Sequence, residues 1–161
     1  MTANATLLNI WCLRHSTGTD FGVNQALADL APSIAVAELG GTPLQDFLKS
    51  LPGVVAAIDS ARSDPDNLYL TMDTSGGLGN SIWPTDRSTL DIQADQSVSP
   101  GITVPVAFSQ SLSLWDFDDV SADDLLGSIT VFESEQGAGE LAKLAKSDVE
   151  SSYYFVTYRV D

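Results

Sequence analysis

The sequence predicts a mainly β protein, an eight-stranded antiparallel Greek-key sandwich with an α-helical insertion after its first strand. Two observations lead to this class: eight short strand-like runs are separated by turn signals, and one alanine- and leucine-rich stretch has helical spacing. The length of 161 residues favours one domain over residues 1–161, with the helical insertion at residues 22–63.

The order of the elements follows from where the apolar spacing changes. The first strand is predicted at residues 5–17, a run rich in Leu, Ile and Trp, and helical spacing follows from residue 24 to about residue 62. Within that stretch Gly40 and Gly41 indicate a helix end, and Thr42 with Pro43 a new helix start. The other seven predicted strands cover residues 68–72, 81–84, 89–93, 102–108, 111–117, 128–132 and 153–160, and a short helix is predicted at residues 139–150.

The charge balance excludes one large class of partners. Seven basic residues stand against 22 acidic ones, for a net charge of −15. Nucleic-acid binding is not expected, because it depends on Lys and Arg neutralising phosphates. The same balance leaves membrane contact possible only through calcium bridging or apolar loop tips. A polyanion of this kind attracts divalent cations and basic partners.

Cysteine and histidine are too few for several other kinds of site. Cys12 and His15 are the only residues of their types, which excludes zinc sites built from them, and disulfides. His15 would have to serve any Ser-His-Asp triad, and no G-x-S-x-G motif accompanies it, so we expect a protein that is not an enzyme. The first residues lack a basic region and a cleavage site, and no run is long enough to span a membrane. A soluble chain without a signal peptide is expected, and its compartment is not predicted.

The densest chemical feature is an acidic run between two predicted strands. Five aspartates fall between Asp116 and Asp124. Because side chains alternate along a strand, Asp116 and Asp118 should point the same way, and the returning chain should bring Asp124 close to them. Converging carboxylates repel one another, so the run is either a solvated loop tip or a site for a hard cation such as Ca²⁺ or Mg²⁺. An EF-hand is excluded, since it would need Gly and Glu where Ser121 and Gly127 stand.

The stretch "LWDFDDVSADDLLGSITV" resembles the third calcium-binding loop of C2 domains. The resemblance implies carboxylate ligands at Asp116, Asp118 and Asp124, a backbone carbonyl ligand at Phe117 and an occasional side-chain ligand at Ser121. Gly127 matches the turn glycine of that family. The fold that the resemblance implies is a C2-like β-sandwich.

A second stretch, "YLTMDTSGGLGNSIWP", is similar in outline to the first calcium-binding loop of the same family. Asp73 takes the first ligand position, and Asn80 stands where a second Asp is usual. The spacing is one residue longer than in the family, and "SIWP" replaces the usual Asp-Pro-aromatic run. A neutral amide oxygen there implies a weaker site with one principal ion.

Together these observations predict a non-enzymatic calcium-binding module, in which Ca²⁺ stabilises one end of the sandwich for contact with a partner or a membrane surface. The alternative is a self-assembling or protein-interaction module that uses residues 24–62, with the acidic loop serving only as structure. A large apolar patch on the helical insertion would favour that alternative.

Overall fold

The computed structural model describes residues 2–17, 23–28, 30–62 and 64–161. Over these residues the chain is mainly β, with ten strands and three short α-helices. The strands are β1 (Ala3–Arg14), β2 (Ile34–Ala35), β3 (Asp66–Thr71), β4 (Leu90–Ile92), β5 (Gln96–Val98), β6 (Thr103–Val106), β7 (Ser109–Asp116), β8 (Asp124–Phe132), β9 (Leu141–Ser147) and β10 (Ser152–Val160). The helices are α1 (Asn24–Ala28), α2 (Leu44–Lys49) and α3 (Val54–Asp59), and 3₁₀ turns occupy Val36–Leu39, Leu78–Asn80 and Glu133–Glu135.

The strands form two antiparallel sheets. Six strands make the larger sheet in the order β2-β9-β10-β1-β5, and β6 pairs with the first residues of β1. Four strands make the smaller sheet in the order β4-β3-β7-β8. Side chains from both sheets, among them Ile10, Tyr154, Leu70 and Leu114, are buried in one shared apolar core. The predicted class, mainly β with two sheets as in a β-sandwich, is confirmed.

The number of strands differs from the predicted eight. β2, β5 and β9 were not predicted, and the strand expected at residues 81–84 is reduced to a single bridge between Leu70 and Trp83. The helix expected at residues 139–150 is wrong, because this stretch contains β9, which pairs with β10 along its whole length. Its Ala, Leu and Lys residues favour helix locally, but pairing with a buried neighbouring strand overrides that preference.

The helical segment lies on the outer face of the larger sheet. Leu48 and Val54 are buried against Trp11 and Phe155, whose side chains point away from the sandwich core. The segment is less helical than predicted, since each of its helices has only five or six residues and β2 interrupts it. The predicted limits of the insertion, Gly22 and Ser63, lie outside the described residues. Among the described residues, no helix has the length and hydropathy needed to cross a membrane.

A glycine lies where β8 of the smaller sheet packs tightly against β9 of the larger sheet. Gly127, in β8, has φ 143°, and a Cβ atom there would lie 2.4 Å from the amide nitrogen of Lys146 in β9. The hydroxyl of Ser152 in β10 donates to the Leu126 carbonyl in β8 (2.8 Å), so a hydrogen bond also links β8 to β10 beside Gly127. Only glycine allows two backbones to approach this closely, so β8 can cross β9 at this position, three residues after Asp124.

We expect Gly127→Ala to lower the free energy of unfolding by about 3 kcal/mol or more, because it combines a clash with backbone atoms and an unfavourable φ. Chemical denaturation monitored by circular dichroism measures the change. Gly79→Ala is the matched control, since a Cβ atom at Gly79 meets nothing within 4 Å. Equal stabilities of the two variants would contradict the importance of this close approach.

Candidate cation-binding loops

The β7–β8 hairpin brings Asp116 and Asp124 opposite each other. Asp116 is the last residue of β7, Asp124 is the first of β8, and the two are paired in register. Residues 117–123 form the connecting loop, called the acidic loop below. The predicted return of the chain toward Asp116 is therefore seen in the pairing of these strands.

Asp116 is the most perturbed carboxyl group of this region. It is partly buried, and its Oδ1 accepts a hydrogen bond from the backbone N–H of Asn67 (2.6 Å). Burial raises its pKa to about 6, and the negative charges of Asp66, Asp124 and Asp118 add to the effect. The pKa of Asp124 is also raised, first by burial and then by its acidic neighbours. Both raised pKa values mean that having Asp116 and Asp124 ionised together is unfavourable when no cation lies between them.

Asp118 and Ser121 together shape the acidic loop. Oδ1 of Asp118 accepts from the backbone N–H groups of Val120 (2.8 Å) and Ser121 (3.2 Å), and the Ser121 hydroxyl donates to Oδ2 (2.6 Å). These bonds, led by the Ser121 hydroxyl, hold the pKa of Asp118 below its ordinary value. The carboxylate therefore stabilises a tight turn in addition to contributing charge.

Asp73 and Asn80 lie apart from this turn. Thr71, the last residue of β3, pairs with Ser113, so Asp73 lies toward the start of β7, at the opposite end of that strand from Asp116. Asp73 follows β3 and accepts from the backbone N–H of Ser75 (2.9 Å), while the Asn80 side chain donates to the Gly76 carbonyl (3.2 Å). Both are exposed on residues 73–80, called the glycine loop below. Phe117 donates its backbone N–H to the Asn67 carbonyl (3.0 Å) and so extends the pairing of β7 with β3.

One tyrosine, which sequence reasoning missed, ties the two loops together. The Tyr69 hydroxyl donates to Oδ2 of Asp123 and accepts from the backbone N–H of Gly77 (2.6 Å). Oδ1 of Asp123 accepts from the backbone N–H of Asp118 (3.0 Å), so this carboxylate bridges both sides. The Tyr69 ring stacks on Trp115 with 6.5 Å between centroids. Burial and the Asp123 carboxylate raise the pKa of Tyr69 to about 12, which keeps its hydroxyl a donor.

Two further carboxylates act on this end of the sandwich through their charge. Asp66, at the start of β3, is buried and contributes to the raised pKa values of Asp116 and Asp124. Glu150 precedes β10, and its pKa is raised by burial and then by Asp124 and Asp66. Neither was singled out from the sequence, since Asp66 lies in a polar stretch typical of a turn and Glu150 in the segment expected to be helical.

The donor atoms suit a hard cation, but their arrangement is not that of a formed metal site. Carboxylate, hydroxyl, amide and carbonyl oxygens are the ligands that Ca²⁺ prefers. Within residues 2–17, 23–28, 30–62 and 64–161, no three Asp, Glu, His or Cys side chains lie close enough to hold one metal ion. A cleft of about 430 Å³ separates the loops and is lined by Gly76, Gly77, Trp115, Ser121, Ala122 and Asp123.

Comparison with known proteins yields only distant similarity. No protein-family model matches the chain, and no curated protein sequence matches it significantly. Two solved structures of human GIVD cytosolic phospholipase A2 are similar to it, one in complex with methyl gamma-linolenyl fluorophosphonate and one with that inhibitor and terbium chloride. The TM-scores are 0.42 and 0.39, at 12% identity over 99% of this chain, which spans 17% of the length of those proteins. Similarity at this level supports no conclusion about fold or function.

We expect Tyr69→Phe to loosen both loops, because it removes the hydroxyl shared by Asp123 and Gly77. The free energy of unfolding should fall by about 1 kcal/mol, the usual contribution of a hydrogen bond. Amide hydrogen exchange should become faster at Gly77 and Asp118 and remain unchanged at Val156 in β10. Unchanged exchange at Gly77 would show that the tyrosine does not hold the glycine loop.

The pKa of Asp116 predicts a pH dependence with a definite sign. Its pKa is about 6 in the folded protein against an ordinary 3.8, so the folded state takes up a proton first as the pH falls. In chelator, the wild-type protein should gain stability relative to Asp116→Asn between pH 7 and pH 4.5, by about 1–2 kcal/mol after a discount for the partly exposed group. Urea unfolding at several pH values measures the difference, and parallel profiles of the two proteins would contradict the raised pKa.

Proposed function

We propose that this chain is a non-enzymatic calcium-binding module that holds Ca²⁺ by the aspartates at one end of a C2-like β-sandwich. The single observation that supports it most is the pairing of Asp116 with Asp124, where two carboxylates with raised pKa values face each other across a hairpin. A divalent cation would relieve that repulsion and allow both groups to ionise.

The distribution of basic residues supports the same proposal. The four ion pairs between described residues are Lys49–Asp95, Lys143–Glu135, Lys146–Asp148 and Arg159–Asp161. None of them involves an aspartate of the acidic loop or its ends. The carboxylates of this loop accept hydrogen bonds but are not neutralised by any of these four ion pairs, which leaves the loop attractive to a cation from solution.

Binding would require a local rearrangement of the two loops. Both oxygens of Asp118 are occupied within its own turn, so Asp118 would exchange hydrogen bonds from Ser121 and Val120 for an ion. Asp116, Asp118 and Asp124 would supply the charged ligands, with Ser121 and the Phe117 carbonyl assisting. The resemblance to C2 domains also implies Asp73 and Asn80, but Asp73 follows the end of β3 that pairs with Ser113, away from Asp116, so the glycine loop would have to move for them to reach the ion. Flexible loops with several oxygens suit Ca²⁺ better than Mg²⁺, which demands a near-ideal octahedron.

The bound ion would prepare this end of the molecule for a partner or a membrane surface. Val120, at the tip of the acidic loop, is 95% exposed and would lie beside the ion. With a net charge of −15, contact with an anionic lipid surface would depend on calcium bridging.

The second candidate is a protein-interaction or self-assembling module that uses residues 24–62. Two neighbouring cavities, of about 240 and 280 Å³, share Leu30, Ala31 and Ile34 of this segment. Val55 of α3 is 50% exposed. These features favour a contact surface on the helical segment, with an oligomer or a partner complex as its consequence.

Calcium binding is tested by thermal unfolding of chelator-treated protein with and without millimolar Ca²⁺. At a concentration 100 times the dissociation constant, the ion should add about 2.7 kcal/mol of stability, enough to raise the midpoint by several degrees. Mg²⁺ should have a smaller effect. Asp116→Asn/Asp118→Asn should abolish the shift.

The matched control is Asp119→Asn/Asp59→Asn, which removes the same charge from two exposed positions outside the proposed ligand set. It should keep the calcium-induced shift. If Mg²⁺ produced the same shift and Asp116→Asn/Asp118→Asn kept it, the acidic loop would act only as solvated surface charge. The helical segment would then be the candidate surface for function.

A further inference from the structure

The turn at residues 93–95, called the junction turn here, joins three parts of the molecule. It connects β4 of the smaller sheet to β5 of the larger one. The backbone N–H of Asp95 donates to the Cys12 carbonyl of β1 (2.7 Å), and the Asp95 carboxylate accepts from the Trp11 indole (3.1 Å). Lys49 of α2 forms an ion pair with the other oxygen of Asp95 (2.7 Å). The junction turn thus holds both sheets and the helical segment together.

The only histidine of the chain lies beside this turn. His15 is 1% exposed, and its Nδ1 accepts a hydrogen bond from the backbone N–H of Ala94 (3.1 Å). A nitrogen that accepts carries no proton, so the neutral ring has its proton on Nε2. Nε2 is buried and makes no well-formed hydrogen bond, and the Arg62 backbone lies close enough to favour a charged ring. The contact with Ala94 therefore requires the neutral ring.

Adding a proton to His15 reverses the role of Nδ1. Both ring nitrogens of an imidazolium are donors, so a second N–H would point at the N–H of Ala94. Two donors cannot share a hydrogen bond, and the charge would also be buried without a water shell. The bond between the ring and the junction turn must break for the proton to be accommodated.

The charged groups around the ring act in both directions. Burial is the largest influence and lowers the pKa of His15 below its ordinary value, with Arg62 and Arg14 opposing the positive charge as well. Asp66 of β3 favours the charged ring, and so does the backbone of Arg62. On the junction turn itself, the Asp95 carboxylate is engaged by Lys49 and Trp11. The balance keeps the ring neutral in the closed arrangement.

We propose that His15 is a proton-sensitive latch whose protonation in mildly acidic solution releases the junction turn from the end of β1. At neutral pH and above, the hydrogen bond from the Ala94 N–H to His15 holds the junction turn against the residues that follow β1. Loss of this bond weakens the contacts through which the junction turn joins the two sheets and α2. This device does not depend on calcium and stands apart from the acidic loop.

The sign of the effect follows from the direction of the shift. The opened or unfolded chain binds a proton near the ordinary value of about 6.5, whereas the closed arrangement resists it. The contribution of the latch is present above that pH and is lost as the pH falls below it. Asp116 has the opposite sign, so the two groups can be separated by their variants.

The test is amide hydrogen exchange of the full chain in chelator at pH 7.5 and pH 5.0, expressed as protection factors so that the intrinsic pH dependence cancels. In the wild type, protection of the Ala94 and Asp95 amides should fall at least tenfold at the lower pH, while Val156 of β10 keeps its protection. His15→Asn should retain protection at both values, because its amide oxygen can replace Nδ1 as acceptor and does not titrate. His15→Phe, which offers no acceptor, should show low protection at both.

Nitrogen-15 chemical shifts of the ring give an independent measurement, and the single histidine makes their assignment unambiguous. A neutral ring protonated on Nε2 is expected at pH 7.5. Protonation on Nδ1 at that pH, equal wild-type protection at the two pH values, or an equal acid-induced loss in His15→Asn would each overturn the proposal. If His15→Phe fails to fold, the wild type and His15→Asn still decide the outcome.

Discussion

A buried carboxylate organises the end of the sandwich at which the acidic loop lies. Asp66 is 1% exposed and accepts from the Ser16 backbone (3.0 and 3.1 Å), from the Ser16 hydroxyl and from the Tyr154 hydroxyl (2.5 Å). Ser16 follows β1, and Tyr154 belongs to β10, whereas Asp66 opens β3 of the other sheet. A buried charge is tolerated only with such a set of donors, so these bonds lock the two sheets together at this end.

The same charge connects groups that are distant in sequence. It contributes to the raised pKa values of Asp116, Asp124 and Glu150, and it draws His15 toward protonation against the larger effect of burial. The candidate cation site and the histidine latch therefore share one source of negative potential. Because a low-dielectric interior screens poorly, Asp66 acts on both without direct contact with either carboxylate of the hairpin.

How far the sequence predicts this protein depends on whether a feature is local. The β7–β8 hairpin and the return of Asp124 toward Asp116 follow from alternation and from a short acidic connection, so both are predicted from the sequence. The start of β8 at Asp124, four residues before the predicted strand, is not. β9 could not be predicted, because "LAKLAKS" favours helix until β10 is beside it. Asp66 escaped notice for the same reason, since its partners Ser16 and Tyr154 lie 50 and 88 residues away. The link between the two loops through Tyr69 could not be predicted either, because its hydrogen bonds to Asp123 and Gly77 leave no signal in a run of strand residues.

The distribution of charge limits what can approach each part of the surface. Lysines and arginines in the described ion pairs neutralise carboxylates outside the acidic loop, namely Asp95 of the junction turn, Glu135 and Asp148 on either side of β9, and the last residue, Asp161. The end that carries Asp116 and Asp124 therefore combines an excess of negative charge with loops held by only a few hydrogen bonds. A cation that enters there gains Coulombic attraction, and it has to offset the hydrogen bonds from backbone N–H groups and from the Ser121 hydroxyl that now occupy Asp116 and Asp118. A neutral or anionic partner would gain no Coulombic attraction to compensate for the loss of these hydrogen bonds. Whether the partner is a metal ion or a basic protein, this end of the molecule favours a ligand that brings positive charge.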